Sequence, residues 1–203
     1  MRILFVCHAN LCRSPIAERL LRLAIGTRPG LAEVGVTAAS AGTHARAETA
    51  MHPLAAEALW EMGADTGGFA TRRVHAGMLA RADLVLTAAR EQRAACVTLA
   101  PDSLRRTFTL RQFARLTGEV DAARVHAAEP ARRLGVLVDE VHRTRGGAQP
   151  VPAEEDDVPD PVGRPAADMY ACATLIQASL HPMLCLLADA PGAHTLATPP
   201  HPR

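Results

Sequence analysis

The stretch that decides the fold is RILFVCHANLCRSP, residues 2–15. Its first part, Ile3 to Val6, is a short apolar run of strand-forming residues, which is typical of a strand buried on both faces of a parallel sheet. Pro15 suits the first turn of a helix, and an apolar stripe follows it as far as Gly26. The residues from Cys7 onward therefore connect the end of a strand to the start of a helix.

Strands and helices keep alternating beyond this stretch. The pattern predicts strands over 34–40, 82–87 and 107–110, and helices over 53–62, 90–99, 111–116, 131–142 and 166–188, with a loop rich in Gly, Pro and acidic residues over 146–159. Such alternation favours a parallel sheet with right-handed crossovers. We therefore expect an α/β fold, a flavodoxin-like three-layer α/β/α arrangement in which helices cover both faces of a four-stranded parallel sheet.

One domain accounts for most of the chain. We predict that it spans residues 1–190 and that residues 191–203, which hold four prolines and little apolar material, form a disordered tail. Pro182, inside the last predicted helix, predicts a kink there.

The composition of the chain is that of a globular protein and excludes several function classes. Hydrophobic residues make up 48% of the 203 residues, and the net charge of +1 speaks against a nucleic-acid or acidic-membrane partner. All 22 basic residues are Arg, which excludes Schiff-base chemistry and a Walker-type phosphate loop. Aromatic residues, at 3%, are too sparse to stack against single-stranded nucleic acid.

The cysteines and the apolar segments indicate the cellular compartment of the protein. Cys7, Cys12, Cys96, Cys172 and Cys185 are odd in number and lack the paired spacing of a zinc site or a disulfide framework. The apolar run at the start is too short for a signal peptide, and residues 175–190 are interrupted too often to span a membrane. We expect a soluble cytoplasmic protein that uses no metal or organic cofactor and contacts no membrane.

Residues 7–15 carry the chemistry. Ligands of α/β sheets bind beyond the carboxyl ends of the strands, where loop amides and a helix N-terminus attract an anion. Cys7 stands at that point, and the amides together with Arg13 would stabilise its thiolate and make it a nucleophile. The five intervening residues let the loop curl around one tetrahedral oxyanion, which the guanidinium fork of Arg13 would bind through two hydrogen bonds.

The other loop residues would hold that oxyanion and shape the loop. Asn10 tolerates the left-handed backbone that such a curl needs, and Ser14 could donate a hydrogen bond to the Cys7 thiolate. Ser40 is either a support for the loop or an ordinary residue at the end of a strand. The predicted binding residues are His8, Ala9, Asn10, Leu11, Cys12 and Ser14.

Three blocks of the sequence, VCHANLCRSP at 6–15, SAGT at 40–43 and Asp160-Pro161, resemble the low-molecular-weight protein tyrosine phosphatase family, which includes related arsenate reductases. The resemblance covers about residues 1–188 and implies a phosphomonoester hydrolase that works through a phosphocysteine intermediate. It implies that Cys7 attacks phosphorus, that Arg13 binds the phosphoryl oxygens, and that Asp160 protonates the leaving group and then activates water. It also implies that inorganic phosphate or a similar oxyanion binds in the loop.

Several alternatives stay open at this point. The protein could be an arsenate reductase that uses an external thiol, or a catalytically weak module that binds phosphorylated ligands. Asp156 and Asp157 are rivals of Asp160, although a solvated acidic run would also explain them. Cys12 is either a core residue or a partner that traps oxidised Cys7 as a disulfide, whereas Cys96, Cys172 and Cys185 are expected to be buried packing residues.

Two departures from the resembled family bear on the substrate. Family members that act on phosphotyrosine tend to have aromatic residues after the SAG block and after Asp-Pro, where this chain has His44 to Ala47 and Val162-Gly163. A branch that acts on phosphoarginine carries Thr before the second loop cysteine, and Leu11 counts against that substrate. His44, Arg46, His52 and the pair Arg72-Arg73 are expected to lie on the surface.

Overall fold

The computed structural model describes residues 1–28 and 30–188. Its strands are β1 (Arg2–Cys7), β2 (Thr37–Gly42), β3 (Leu84–Thr87) and β4 (Thr107–Thr109). They form one four-stranded sheet in the order β2-β1-β3-β4, and every neighbouring pair is parallel. The predicted four-stranded parallel sheet is confirmed, and β1 lies inside it with neighbours on both sides.

The described residues contain the six predicted helices in order, together with four short helices that were not predicted. They are α1 (Arg13–Thr27), α2 (Leu31–Val34), α3 (Pro53–Glu61), α4 (Ala76–Ala80), α5 (Arg90–Leu99), α6 (Leu110–Thr117), α7 (Ala122–His126), α8 (Arg133–Arg145), α9 (Ala153–Asp156) and α10 (Ala166–Leu187). Two 3₁₀ turns lie at Pro101–Arg106 and Pro130–Arg132.

The sheet is covered on both faces, as predicted. Successive strand residues point to opposite faces, so Ile3 and Phe5 join the larger apolar cluster with helices α1, α3, α6, α8 and α10. Leu4 and Val6 join a smaller cluster on the other face, where Leu79 of α4 also packs. All the apolar residues of β1 are almost completely buried, which explains why its sequence is an uninterrupted apolar run.

The boundaries differ from the sequence prediction at short elements. The predicted strand over 34–40 begins only at Thr37, because α2 occupies 31–34 between Gly30 (φ 85°) and Gly35 (φ 63°). The predicted loop over 146–159 contains α9, and α4 and α7 were not predicted. Helices of four or five residues are too short to show an apolar repeat, so their sequences look like loops.

Helix α10 corrects one sequence interpretation. It is 22 residues long, runs without interruption through Pro182, and reaches a mean hydropathy of 1.4, so by length and composition alone it could span a membrane. That is weak evidence, because a core helix passes the same test, and Met169, Ile176 and Leu180 of α10 pack in the larger cluster. The kink at Pro182 stays a prediction. The predicted tail over 191–203 lies outside the described residues, as do the last two residues of the predicted domain.

Candidate active site

The loop between β1 and α1 is tightly curled and packs against β2. Asn10 is buried and adopts a left-handed backbone with φ of 56°. The loop passes so close to Gly42 that a Cβ there would lie 2.6 Å from the carbonyl oxygen of His8 and 2.7 Å from the amide nitrogen of Asn10. Only glycine fits at this point of the SAGT block, because the loop backbone occupies the space of a side chain.

Two hydrogen-bonding groups of this loop surround the Cys7 sulfur. The backbone N–H of Asn10 donates to Sγ over 3.2 Å, and the hydroxyl of Ser14 lies 3.0 Å from Sγ. The Ser14 hydroxyl accepts from the Asn10 side-chain amide (2.9 Å), and its one proton can go either to the Cys7 sulfur or to the carbonyl oxygen of Ala41, 3.1 Å away. The sulfur of Cys7 therefore lies within hydrogen-bond distance of a backbone N–H and of a hydroxyl.

The remaining amides of the loop have no acceptor among the described residues. Among residues 1–28 and 30–188, the backbone N–H groups of His8, Ala9, Leu11 and Cys12 make no hydrogen bond. Helix α1 begins directly after them, and within the described chain no side chain caps it. Unpaired amides at a helix N-terminus form a binding site for an oxyanion.

Arg13 and Asp160 meet beside this loop. Arg13, a residue that is only 7% exposed, donates from its guanidinium to the carbonyl oxygen of Val158 over 3.3 Å. Its Nη2 is 2.5 Å from Oδ2 of Asp160, whose side chain is 48% exposed. The structure therefore brings together Cys7, Arg13 and Asp160, the three residues predicted to be catalytic.

A buried polar network supports the loop from below. The Asn10 side-chain amide donates to the Ser40 hydroxyl (2.9 Å), and Ser40 donates to Oε2 of the buried Glu18 (2.6 Å). Arg22 neutralises this carboxylate, with Nη2 2.7 Å from Oε1. Ser40 is thus placed as a support for the loop, the functional alternative of the two that the sequence left open.

The sequence reasoning missed Glu18 and Arg72 in this network. The backbone N–H of Arg72, a residue expected only to lie on the surface, donates to Oδ1 of Asn10 over 2.9 Å. Glu18 stands on the otherwise buried face of α1, with Arg22 one turn later. An acidic residue within an apolar helix face was the signal that could have identified it.

Comparison with known proteins agrees with this geometry. A family model for low molecular weight phosphotyrosine protein phosphatase matches residues 2–135. The chain belongs to this family. It is 34% identical over 111 residues to the low molecular weight protein-tyrosine-phosphatase Etp of Escherichia coli (strain K12), a match that covers 55% of this chain and 70% of Etp. These relationships identify a cysteine-dependent phosphatase that acts on phosphorylated substrates.

Solved structures of this family share the fold. The low molecular weight protein tyrosine phosphatase from T. tengcongensis is 24% identical, with a TM-score of 0.65 over 91% of this chain and 97% of that one. A mutant of YwlE arginine phosphatase, whose active-site serine is phosphorylated, is 21% identical, with a TM-score of 0.67 over 92% of this chain and 95% of that one. Asp160 lies beyond the residues that the family model matches, so its place at the site rests on its contact with Arg13.

The two rivals of Asp160 hold structural positions in this phosphatase. Asp156 is almost completely buried between Arg90 and Arg115, each 3.2 Å away, so the expectation of a solvated acidic run is wrong for it. Asp157 accepts a hydrogen bond from the backbone N–H of Arg90 over 2.8 Å, at the start of α5. Both residues anchor the segment that leads to Asp160.

The other cysteines of the described chain are free thiols with different surroundings. Burial, together with the negative charges of Cys7 and Asp160, raises the pKa of Cys12 to about 12. Burial also raises the pKa of Cys96 and of Cys172 to about 12. Cys185 is exposed on α10, which corrects the expectation that it is a packing residue. The disulfide between Cys7 and Cys12 stays a prediction.

Two histidines form the rim of the loop. His8, next to the nucleophile, stacks on His44 with ring centroids 4.4 Å apart and an interplanar angle of 20°. His44 also lies 3.0 Å from the hydroxyl of Thr43. The segment after the SAG block, expected to be plain surface, therefore carries a flat ring that contacts the loop.

Proposed function

We propose that this chain hydrolyses phosphomonoesters through a phosphocysteine on Cys7, without a metal or an organic cofactor. The observation that carries the proposal is the set of hydrogen-bond donors gathered at the loop between β1 and α1. Unpaired loop amides lie between Cys7, whose sulfur itself accepts an N–H bond, and Arg13, which begins α1. A phosphoryl group has three oxygens to accept these donors, and its phosphorus would then face the sulfur.

In the first chemical step, the thiolate of Cys7 forms a bond to phosphorus while the bond from phosphorus to the ester oxygen breaks. The leaving oxygen takes a proton from the carboxyl group of Asp160. Arg13 binds the phosphoryl oxygens throughout, which requires Asp160 to give up its contact with the guanidinium when substrate binds. The half-exposed position of Asp160 makes that movement feasible.

In the second step, water attacks the phosphocysteine, and Asp160, now a carboxylate, accepts the proton of that water. The bond from sulfur to phosphorus breaks, and the sulfur leaves as a thiolate. The hydroxyl of Ser14 and the N–H of Asn10 stabilise this thiolate as a leaving group. The phosphorylated active-site serine in the mutant of YwlE arginine phosphatase supports covalent attachment at this position of the fold.

The same proposal includes the substrate class and the compartment. We favour an ester of phosphate over phosphoarginine, because Leu11 stands where the phosphoarginine branch carries Thr. Free cysteines support a reducing cytoplasm, and a net charge of +1 supports the absence of a nucleic-acid or membrane partner.

Parallel assays on the purified chain test this function. We expect hydrolysis of an aryl phosphate, little release of phosphate from phosphoarginine, and no thiol-dependent reduction of arsenate. Cys7→Ser should abolish hydrolysis while phosphate still binds, because the alcohol is a poor nucleophile in an intact site. Arsenate reduction without aryl phosphate hydrolysis would establish the reductase alternative, and phosphate binding without either activity would establish the binding module.

A further inference from the structure

A second cavity, of about 250 Å³, lies away from Cys7. It is bounded by α5, α6, the end of α8 and residues 148–156. Among the described residues, its lining contains four arginines and a single acidic residue, Asp156. We call this cavity the arginine pocket, after Arg90, Arg93, Arg115 and Arg145.

The one carboxylate of the pocket is already engaged by two of the arginines. Oδ2 of Asp156 is 3.2 Å from Arg90, and Oδ1 is 3.2 Å from Arg115. In the described part of the chain, Arg93 and Arg145 form no ion pair with a carboxylate. Both donate instead to the carbonyl oxygen of Thr107, over 3.0 and 2.8 Å. Two cations therefore share one neutral acceptor.

The pocket also contains buried polar atoms that lack a partner. Within residues 1–28 and 30–188, these include Nε of Arg115, Nε of Arg145 and Oε1 of Gln112. Burial of an N–H group without an acceptor destabilises a protein, and a cation adds to that cost. In a native structure such atoms take a partner from outside the chain, either an ordered water or a bound ligand.

The two arginines without a carboxylate are in an unfavourable electrostatic environment. Burial and the positive charge of Arg93 lower the pKa of Arg145 to about 10, and burial lowers the pKa of Arg93 by more than the charge of Asp156 raises it. Arg145 stacks on the ring of Phe108, with its guanidinium carbon 3.6 Å from the ring centroid, which holds the group in place. A fixed cluster of guanidinium groups with surplus positive charge is preorganised for an anion.

We propose that the arginine pocket binds a small molecule through a phosphate or similar oxyanion group, at a site separate from the Cys7 loop. Guanidinium forks match the geometry of phosphate oxygens, and the volume is slightly below the range of drug-sized ligand pockets. The bound anion accepts hydrogen bonds from Arg93 and Arg145 and offsets their repulsion. Because Asp156 lies in the pocket wall, the site adjoins the segment that leads to Asp160.

Gln112 allows a test that leaves the arginines intact. Its side chain lines the pocket. Only its backbone N–H takes part in the cap of α6, where it donates to the hydroxyl of Thr109, so a change of side chain leaves this cap in place. Gln112→Glu places a fixed carboxylate among the guanidinium groups, and Gln112→Met is a control of similar size without charge. Thermal unfolding of both variants and of the wild type is measured against inorganic phosphate, with chloride at equal ionic strength as the salt control.

We expect Gln112→Glu to melt at a higher temperature than wild type without phosphate, and to lose the part of the phosphate response that comes from this pocket. At about ten times the dissociation constant, linkage gives a rise of about 3–6 °C for a chain of this size. Wild type and Gln112→Met should show that rise in addition to any rise from the Cys7 loop. Equal phosphate responses in Gln112→Glu and Gln112→Met would overturn the proposal, whether or not the chain is an active phosphatase.

Discussion

Asp160→Asn should change catalysis and phosphate binding in opposite directions. The amide cannot donate the proton that the leaving oxygen needs, and general acid catalysis commonly contributes ~10²- to 10⁴-fold. The loss of kcat/KM, which reports the phosphorylation of Cys7, should lie in that range for esters of basic alcohols and should be small for acidic phenols, which leave without a proton. Phosphate should bind more tightly, because the substitution removes the carboxylate that now pairs with Arg13. Since Asp160 is half exposed, that pair is worth about 0.5–1 kcal/mol, or a two- to fivefold lower inhibition constant.

The assay is steady-state hydrolysis of a series of aryl and alkyl phosphates, together with competitive inhibition by inorganic phosphate. Asp157→Asn is the matched control, since it makes the same change of charge three residues earlier and keeps an oxygen to accept from the Arg90 amide. A loss of kcat/KM that is independent of leaving-group pKa, or equal in both variants, would refute general acid catalysis by Asp160. Unchanged or weaker inhibition by phosphate in Asp160→Asn would refute competition for Arg13.

Three further results follow from the site. Arg13→Lys should lower kcat/KM for aryl phosphate by ~10²- to 10³-fold, the usual effect of losing one oxyanion donor. An ammonium cannot bind two phosphoryl oxygens as the guanidinium fork does, and near-normal kinetics would remove Arg13 from the mechanism. Ser40→Ala should lower the free energy of unfolding by about 1–3 kcal/mol, because Asn10 loses an acceptor and the buried carboxylate of Glu18 loses a donor. Denaturant unfolding with an unchanged midpoint would contradict a stabilising role of this network. At pH 7–8 iodoacetamide should modify Cys7 much faster than Cys12, whose pKa of about 12 keeps it a thiol, and mass spectrometry showing equal labelling would contradict this.

The sequence predicts the centre of this site well because the residues are contiguous. The buried run of β1, the loop and Pro15 follow one another, so local patterns placed Cys7 and Arg13 at the carboxyl end of a strand. The hydrogen bond from Asn10 to Ser14 is also local, because the two residues are four positions apart.

Contacts between distant residues could not be derived in the same way. The ion pair between Arg13 and Asp160 joins positions 147 residues apart and was not predicted, although the family resemblance pointed to Asp160 as a site residue. Glu18 contacts Ser40 because α1 packs against β2. The hydrophobic periodicity of a sequence predicts single elements and does not show which elements pack together. The sequence places Asp156 in a run of acidic residues, which is typical of a solvated loop. Its burial depends on ion pairs with the distant Arg90 and Arg115, which the local sequence does not show.

A covalent phosphocysteine is the central claim, and trapping it is the most direct test. Wild-type protein is mixed with a ³²P-labelled aryl phosphate, denatured rapidly during turnover and digested, and the labelled peptide is sequenced by mass spectrometry. The label should lie on Cys7, should be absent from Cys7→Ser, and should be lost at the rate of turnover when unlabelled substrate is added. Turnover of the aryl phosphate without any label on Cys7, or label that persists for many turnovers, would contradict the mechanism.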